Sequence, residues 1–165
     1  MLGVACAGGA QDVTPDPVDW TDFSNQSTSQ RITGTTDDIR ITLQAPEDAQ
    51  VEGDPFLLRR AVSNLLDNAT DFSAEGAEVR MTLERTPRAV RIRVRDQGPG
   101  IPEYAQDKVF EKFYSLARPH SSKKSTGLGL SFVREIASLH HGRIELDNAP
   151  GGGALATLSL PLGDG

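Results

Sequence analysis

Two alternating runs joined by a turn constrain the fold most. Val79, Met81 and Leu83 alternate with polar residues, Thr86-Pro87-Arg88 interrupts, and Val90, Ile92 and Val94 resume the alternation. A period of two puts one face of each strand in a core, so these runs predict an antiparallel hairpin. The buried face needs a cover, and two helical patterns supply it. Asp54-Pro55 opens the first: Asp54 can cap free amides, and Pro55 at the first helical position gives up no hydrogen bond. Phe56, Leu57, Ala61, Val62, Leu65, Leu66 and Ala69 then recur at helical spacing to about Phe72. The second pattern covers 128–141, with Leu130, Val133, Ile136, Ala137 and Leu139 on the packing side and Gly142 placed to end it.

Other segments extend the sheet. Ile39, Ile41 and Leu43 alternate, Ile144 and Leu146 begin a strand, Gly151-Gly152-Gly153 turns it, and Leu155, Thr157, Leu158 and Leu160 close the sheet. Residues 103–126 should hold one short helical piece at about 108–113, followed by a polar stretch. The expected class is α+β: a two-layer sandwich of one mostly antiparallel sheet with helices on one face. The 165 residues favour a single domain over 36–163, after a loosely ordered N-terminal segment, 1–35, with at most one short helix.

The net charge of −6 argues against nucleic acid as the main partner, although Lys123 and Lys124 could form a local basic patch. One cysteine, Cys6, leaves no intrachain disulfide and suggests a reducing compartment. No apolar run approaches the roughly 20 residues that span a bilayer, so no membrane contact by this chain is expected. The opening MLGVACAGGA is too short and lacks the basic flank of a signal peptide.

Three stretches carry chemistry. In Asn64-Leu65-Leu66-Asp67-Asn68-Ala69 two amides share one face of an apolar helix, where burial penalises them unless they are bonded. Amide oxygens suit Mg²⁺, which keeps waters and substrate phosphates as its other ligands. In Asp96-Gln97-Gly98-Pro99-Gly100 a strand runs into a glycine turn, so a buried carboxylate could accept a bond from an amine such as that of adenine. Gly127-Leu128-Gly129-Leu130 enters a helix whose free amides can receive phosphate. Each has a plainer alternative. The asparagines can bond neighbouring backbone, Asp96 can bond its own turn, and the lysine pair can be solvated surface. Taken in order, they supply a metal ligand, a base-reading carboxylate and a phosphate cradle, the parts of an ATP site.

Together with Val109-Phe110-Glu111-Lys112-Phe113-Tyr114, these stretches resemble the catalytic ATP-binding domain of two-component sensor histidine kinases, in the superfamily that includes gyrase and MutL-type ATPases. Residues 64–69 look like its N box, 96–100 its first glycine box, 109–114 its F box and 126–130 its second glycine box, with 103–126 on the ATP lid. The resemblance spans about 38–162. Asp71-Phe72, the run 113–116 and the end of the lid are most similar to carbon-source-responsive sensor kinases. The fold it implies is the Bergerat ATP-binding fold. It implies ATP and Mg²⁺ as ligands, with Asn68 on the metal and Asn64 on phosphate or its water shell. Asp96 would read adenine. Gly98, Gly100 and Ile101 would form the adenine floor. Phe110 and Phe113 would anchor the lid base, with Tyr114 beside the nucleotide. Lys112, Lys123, Lys124, Thr126, Gly127, Leu128, Gly129 and Leu130 would approach the phosphates. Asn64, Asn68 and Lys112 would be the catalytic set.

The implied partners are a phosphoacceptor histidine domain of the parent kinase and, indirectly, a response regulator. The implied location is cytoplasmic, with the parent anchored in the inner membrane. Two departures matter. Asp71 stands where many relatives carry a cation, three residues after the second asparagine. None of His120, His140 and His141 precedes the ATP motifs or is followed by an acid, as the phosphoacceptor usually is. The chain therefore reads as a catalytic domain without its substrate domain, which alone should autophosphorylate poorly or not at all. Anti-sigma-type serine kinases carry glutamate where Asn64 stands, and an amide cannot serve as a general base. A non-catalytic nucleotide-binding interaction module is the remaining alternative, kept open by Asp71.

Overall fold

The computed structural model describes residues 3–5, 40–44, 50–74, 76–116 and 127–162. Its elements are β1 (Gly3–Ala5), β2 (Arg40–Gln44), β3 (Gln50–Glu52), α1 (Pro55–Phe72), β4 (Glu78–Arg85), β5 (Ala89–Arg95), a 3-10 turn (Glu103–Ala105), α2 (Gly129–Leu139), β6 (Arg143–Asn148) and β7 (Ala154–Pro161). Among the described residues, five strands form one sheet in the order β2-β4-β5-β7-β6. The β4–β5, β5–β7 and β6–β7 pairs are antiparallel. The edge pair β2–β4 is parallel, because α1 lies between the two strands in sequence and carries the chain back to the same end. β1 and β3, which carried no sequence signal, form a separate parallel pair.

The core lies between the sheet and the two helices. Val79, Met81 and Leu83 of β4, Val90, Ile92 and Val94 of β5, and Ala156, Leu158 and Leu160 of β7 all point inward and are buried. Leu155 and Thr157 fall on the half-exposed opposite face. From α1 come Leu58, Ala61, Val62, Leu65 and Ala69, and from α2 Val133, Ile136 and Ala137. Asp54 caps α1 as expected, its Oδ1 accepting from the Phe56 and Leu57 amides at 2.9 and 3.1 Å. Phe56, at 77% exposure, and Leu139, at 67%, do not pack; each sits at a helix end, beyond reach of the sheet.

The helical piece expected at 108–113 does not form. Isolated turns replace it, with Lys108 N–H donating to Ala105 O, Glu111 N–H to Lys108 O and Tyr114 N–H to Glu111 O. Phe113 takes φ 67°, outside helical space, and gives its N–H to Gly127 O. What holds this segment is a second small core of Ile101, Ala105 and Val109, against which Phe110, Tyr114, Leu130 and Leu146 pack.

α2 ends differently from expectation. Gly142 is not the left-handed residue; His141 is, at φ 56°. The His141 N–H donates to Ser138 O and the Gly142 N–H to Ala137 O, the two bonds of a Schellman cap. His140 ties the helix ends together. Its Nε2 accepts from the Asp54 N–H at 2.9 Å, so Nδ1 carries the proton given to Ile136 O at 2.7 Å. Replacing His141 by glycine removes the left-handed penalty and should raise stability by about 0.5–1 kcal/mol in a urea melt. An unchanged or lowered midpoint would show that the imidazole contributes more than its backbone costs.

Candidate functional site

One cleft opens between a polar face of α1, the β5–loop junction and the segment leading to α2. Its lining includes Asn64, Asp67, Asn68 and Asp71 of α1 on one wall, Asp96 at its base, and Ile101, Val109, Leu130 and Leu146 on the apolar side. The spacing 64, 67, 68, 71 places two amides and two carboxylates on a single helical face, so α1 presents oxygen donors to the cleft while its opposite side packs in the core. Tyr114, Ser115, Leu116, Gly127 and Gly129 close the rim.

Asp96 is the most constrained polar group. It is 5% exposed, at the end of β5. Its Oδ1 accepts from the Gly98 amide at 2.9 Å and the Ala154 amide at 3.0 Å, and its own N–H donates to Ala154 O at 3.0 Å. Gly153, at φ 82°, makes this possible: a Cβ there would overlap the Asp96 carbonyl oxygen and stand 3.2 Å from Oδ1. Among the described residues Oδ2 receives no hydrogen bond. Burial raises the Asp96 pKa, against the two amide bonds, which lower it. Burial, and then the charge of Asp71, likewise raise the Asp67 pKa, with Arg60 opposing.

The expected site residues divide by position. Asn64, Asn68, Asp96, Gly100, Ile101, Tyr114, Gly127, Gly129 and Leu130 meet at the cleft. Gly98 holds Asp96 from behind, and Phe110 is half-buried in the small core. Leu128 and Lys112 are exposed outside the lining, and Phe113, expected at the lid base, is 77% exposed. Lys123, Lys124 and Thr126 lie outside the described residues, as do His120 and Cys6. Sequence reasoning passed over Asp67, Val109, Leu146 and Ala154 as cleft residues. The spacing of Asp67 on α1 could have signalled it, whereas Leu146 and Ala154 reach the cleft only through strand pairing.

The donor set fits Mg²⁺. Asn64, Asp67, Asn68 and Asp71 bring amide and carboxylate oxygens to one wall. Hard oxygens of this kind suit an ion which completes its shell with waters and substrate phosphates.

Comparison with known proteins places this geometry. The family described as histidine kinase-, DNA gyrase B-, and HSP90-like ATPases matches residues 53–164. Sensor protein CreC of Escherichia coli (strain K12) is 45% identical over 122 residues, which cover 73% of this chain and 26% of CreC. The chain thus spans about a quarter of that curated relative's length. The solved structure of the mycobacterial sensor histidine kinase MprB superposes with a TM-score of 0.69 at 30% identity, covering 87% of this chain and 95% of that one. The catalytic domain of histidine kinase ThkA gives 0.66 at 31%, covering 74% and 80%. With its N-box asparagines and buried Asp96 in one cleft of an α+β sandwich, the chain belongs to the histidine kinase-, DNA gyrase B- and HSP90-like ATPase family, on its sensor histidine kinase branch.

Proposed function

We propose that residues 36–163 are the catalytic domain of a protein histidine kinase, which binds Mg·ATP in the cleft and delivers the γ-phosphate to a histidine on a dimerisation domain. A response regulator would be served downstream of that histidine. The observation that carries this reading is the juxtaposition of an α1 face of amide oxygens with a buried carboxylate whose Oδ2 is left for a ligand. Asp96 would accept the adenine amine. Ile101 would floor the base, and Gly127, Gly129 and Leu130 would receive phosphate at the start of α2. Asn68 would hold Mg²⁺, which would supply charge neutralisation for the phosphates, and Asn64 would contact phosphate or its water shell. Catalysis by the chain is positioning: the cleft orients ATP, and its apolar side excludes water from the base. The acid that takes the proton of the acceptor histidine would come with the histidine domain. We place the domain in the cytoplasm, with its parent kinase anchored in the inner membrane. Among the described residues, no helix is long and apolar enough to cross a membrane.

Mixing the chain with a separate histidine-bearing hairpin domain and γ-labelled ATP tests transfer. Label should appear on the hairpin, with the chain alone remaining unlabelled. Label retained on this chain would refute the proposal. Asn68→Ala should weaken ATP binding in Mg²⁺ about tenfold, the scale of one lost polar contact, and shrink the difference between Mg²⁺ and chelator. A variant with unaltered Mg²⁺ dependence would remove Asn68 from the metal.

A further inference from the structure

Asn148, at the end of β6, makes a paired contact that no local pattern requires. Its Oδ1 accepts from the Ile101 N–H at 2.6 Å and its Nδ2 donates to the Ile101 C=O at 3.0 Å. One side chain thus occupies both peptide groups of a single residue across 47 positions of sequence. Asn148 itself is exposed, while Ile101 is 7% exposed and floors the cleft. Gly100 is matched to the contact: a Cβ there would stand 2.6 Å from Asn148 Oδ1. The following turn continues the hold, since Ala149 N–H donates to Gly153 O and Ala154 N–H reaches Asp96 Oδ1. The β6–β7 turn therefore grips the 96–101 loop at both ends, by Asn148 at Ile101 and by Ala154 at Asp96.

We propose that Asn148 is a positioning residue for base recognition: by holding the Ile101 peptide it fixes the loop that carries the base-reading carboxylate of Asp96. The inference rests on the ATP-binding reading of the cleft. The 96–101 loop is held at Asp96 by the Ala154 amide and at Ile101 by Asn148, and releasing the second hold would let Asp96 Oδ2 shift against the base. A fixed acceptor at that place favours an amine over a carbonyl at the base edge, and a displaced one discriminates less. The Asn148 side chain gives both of its hydrogen bonds to Ile101, so its effect should fall on the base rather than on the phosphates.

The test is calorimetric titration of the chain with Mg·ATP, Mg·GTP and inorganic tripolyphosphate with Mg²⁺. Asn148→Ala should weaken ATP about tenfold, the scale of two neutral hydrogen bonds. It should narrow the preference for ATP over GTP and leave tripolyphosphate unchanged. Asn148→Asp keeps the acceptor for the Ile101 N–H but sets an acceptor against the Ile101 C=O, and should narrow the ATP preference at least as much as Asn148→Ala. It also carries the test if the alanine variant does not fold. Equal losses for ATP and tripolyphosphate would mark Asn148 as merely structural and overturn the proposal. So would an unchanged ATP-to-GTP ratio in both variants. A wild-type chain that binds no ATP would instead sink the reading of the cleft itself.

Discussion

Asp96→Asn should weaken ATP binding by about a hundredfold while leaving the chain folded, because it inverts one contact and preserves the others. The asparagine Oδ1 can still accept from the Gly98 and Ala154 amides, which face Asp96 Oδ1 at 2.9 and 3.0 Å. That orientation forces the new NH₂ into the place of Oδ2, where it meets the adenine amine donor to donor. Stability should move the other way. Burial raises the folded-state pKa of Asp96 above the ordinary 3.8, so its ionised form is penalised in the folded chain. The associated stability is fully present below pH 3.8 and lost as pH rises through the raised value. At neutral pH, Asp96→Asn should therefore melt at or above the wild-type temperature, and the gap should close in acid. ATP affinity of the wild type should fall as pH drops through the same raised value, because the adenine amine needs an ionised acceptor. A variant that binds ATP as well as wild type, by calorimetry at neutral pH, would exclude Asp96 as the base reader.

Gly153→Ala should cost about 3 kcal/mol and about 10 °C in melting temperature, because this turn glycine is buried. Two penalties combine. At φ 82° a side chain pays for left-handed backbone, and its Cβ would overlap the Asp96 carbonyl oxygen while standing 2.9 Å from the carbonyl carbon. Relief requires the β6–β7 turn to move away from Asp96, which breaks the Ala154 amide bond and turns the carboxylate from the cleft. Stability and ATP affinity should fall together. Gly152→Ala is the control: at φ 109° it pays for the backbone, but its Cβ meets nothing within 4 Å. It should lose about 1 kcal/mol and bind ATP normally. Equal losses in the two variants would show that the turn tolerates displacement and does not build the Asp96 site.

Local chemistry was legible from sequence, and contacts made across the fold were not. The alternation in β4 and β5 and the Asp54-Pro55 cap gave those elements nearly to the residue, because each depends on neighbours in the chain. Asn64 and Asn68 were placed on one face by helical spacing alone. The piece at 108–113 failed because its apolar spacing serves the small core of Ile101, Ala105 and Val109, while Phe113 pairs with Gly127 rather than extending a helix. Phe56 and Leu139 keep the helical period but fall past the sheet, a matter of where the layers end. Gly153 read as one of three turn glycines, and only the fold shows the Asp96 carbonyl against it. Asn148 carried no local signal, since its partner lies 47 residues away.

The central claim is that this cleft binds ATP through its own residues. Calorimetric titration of the whole chain with ATP in Mg²⁺, repeated with Asp96→Asn, tests it most directly. The account predicts saturable binding of one ATP per chain that is lost in the variant, with the folded baseline kept in both. Absence of binding by a folded wild-type chain, or equal binding by the two, would contradict it.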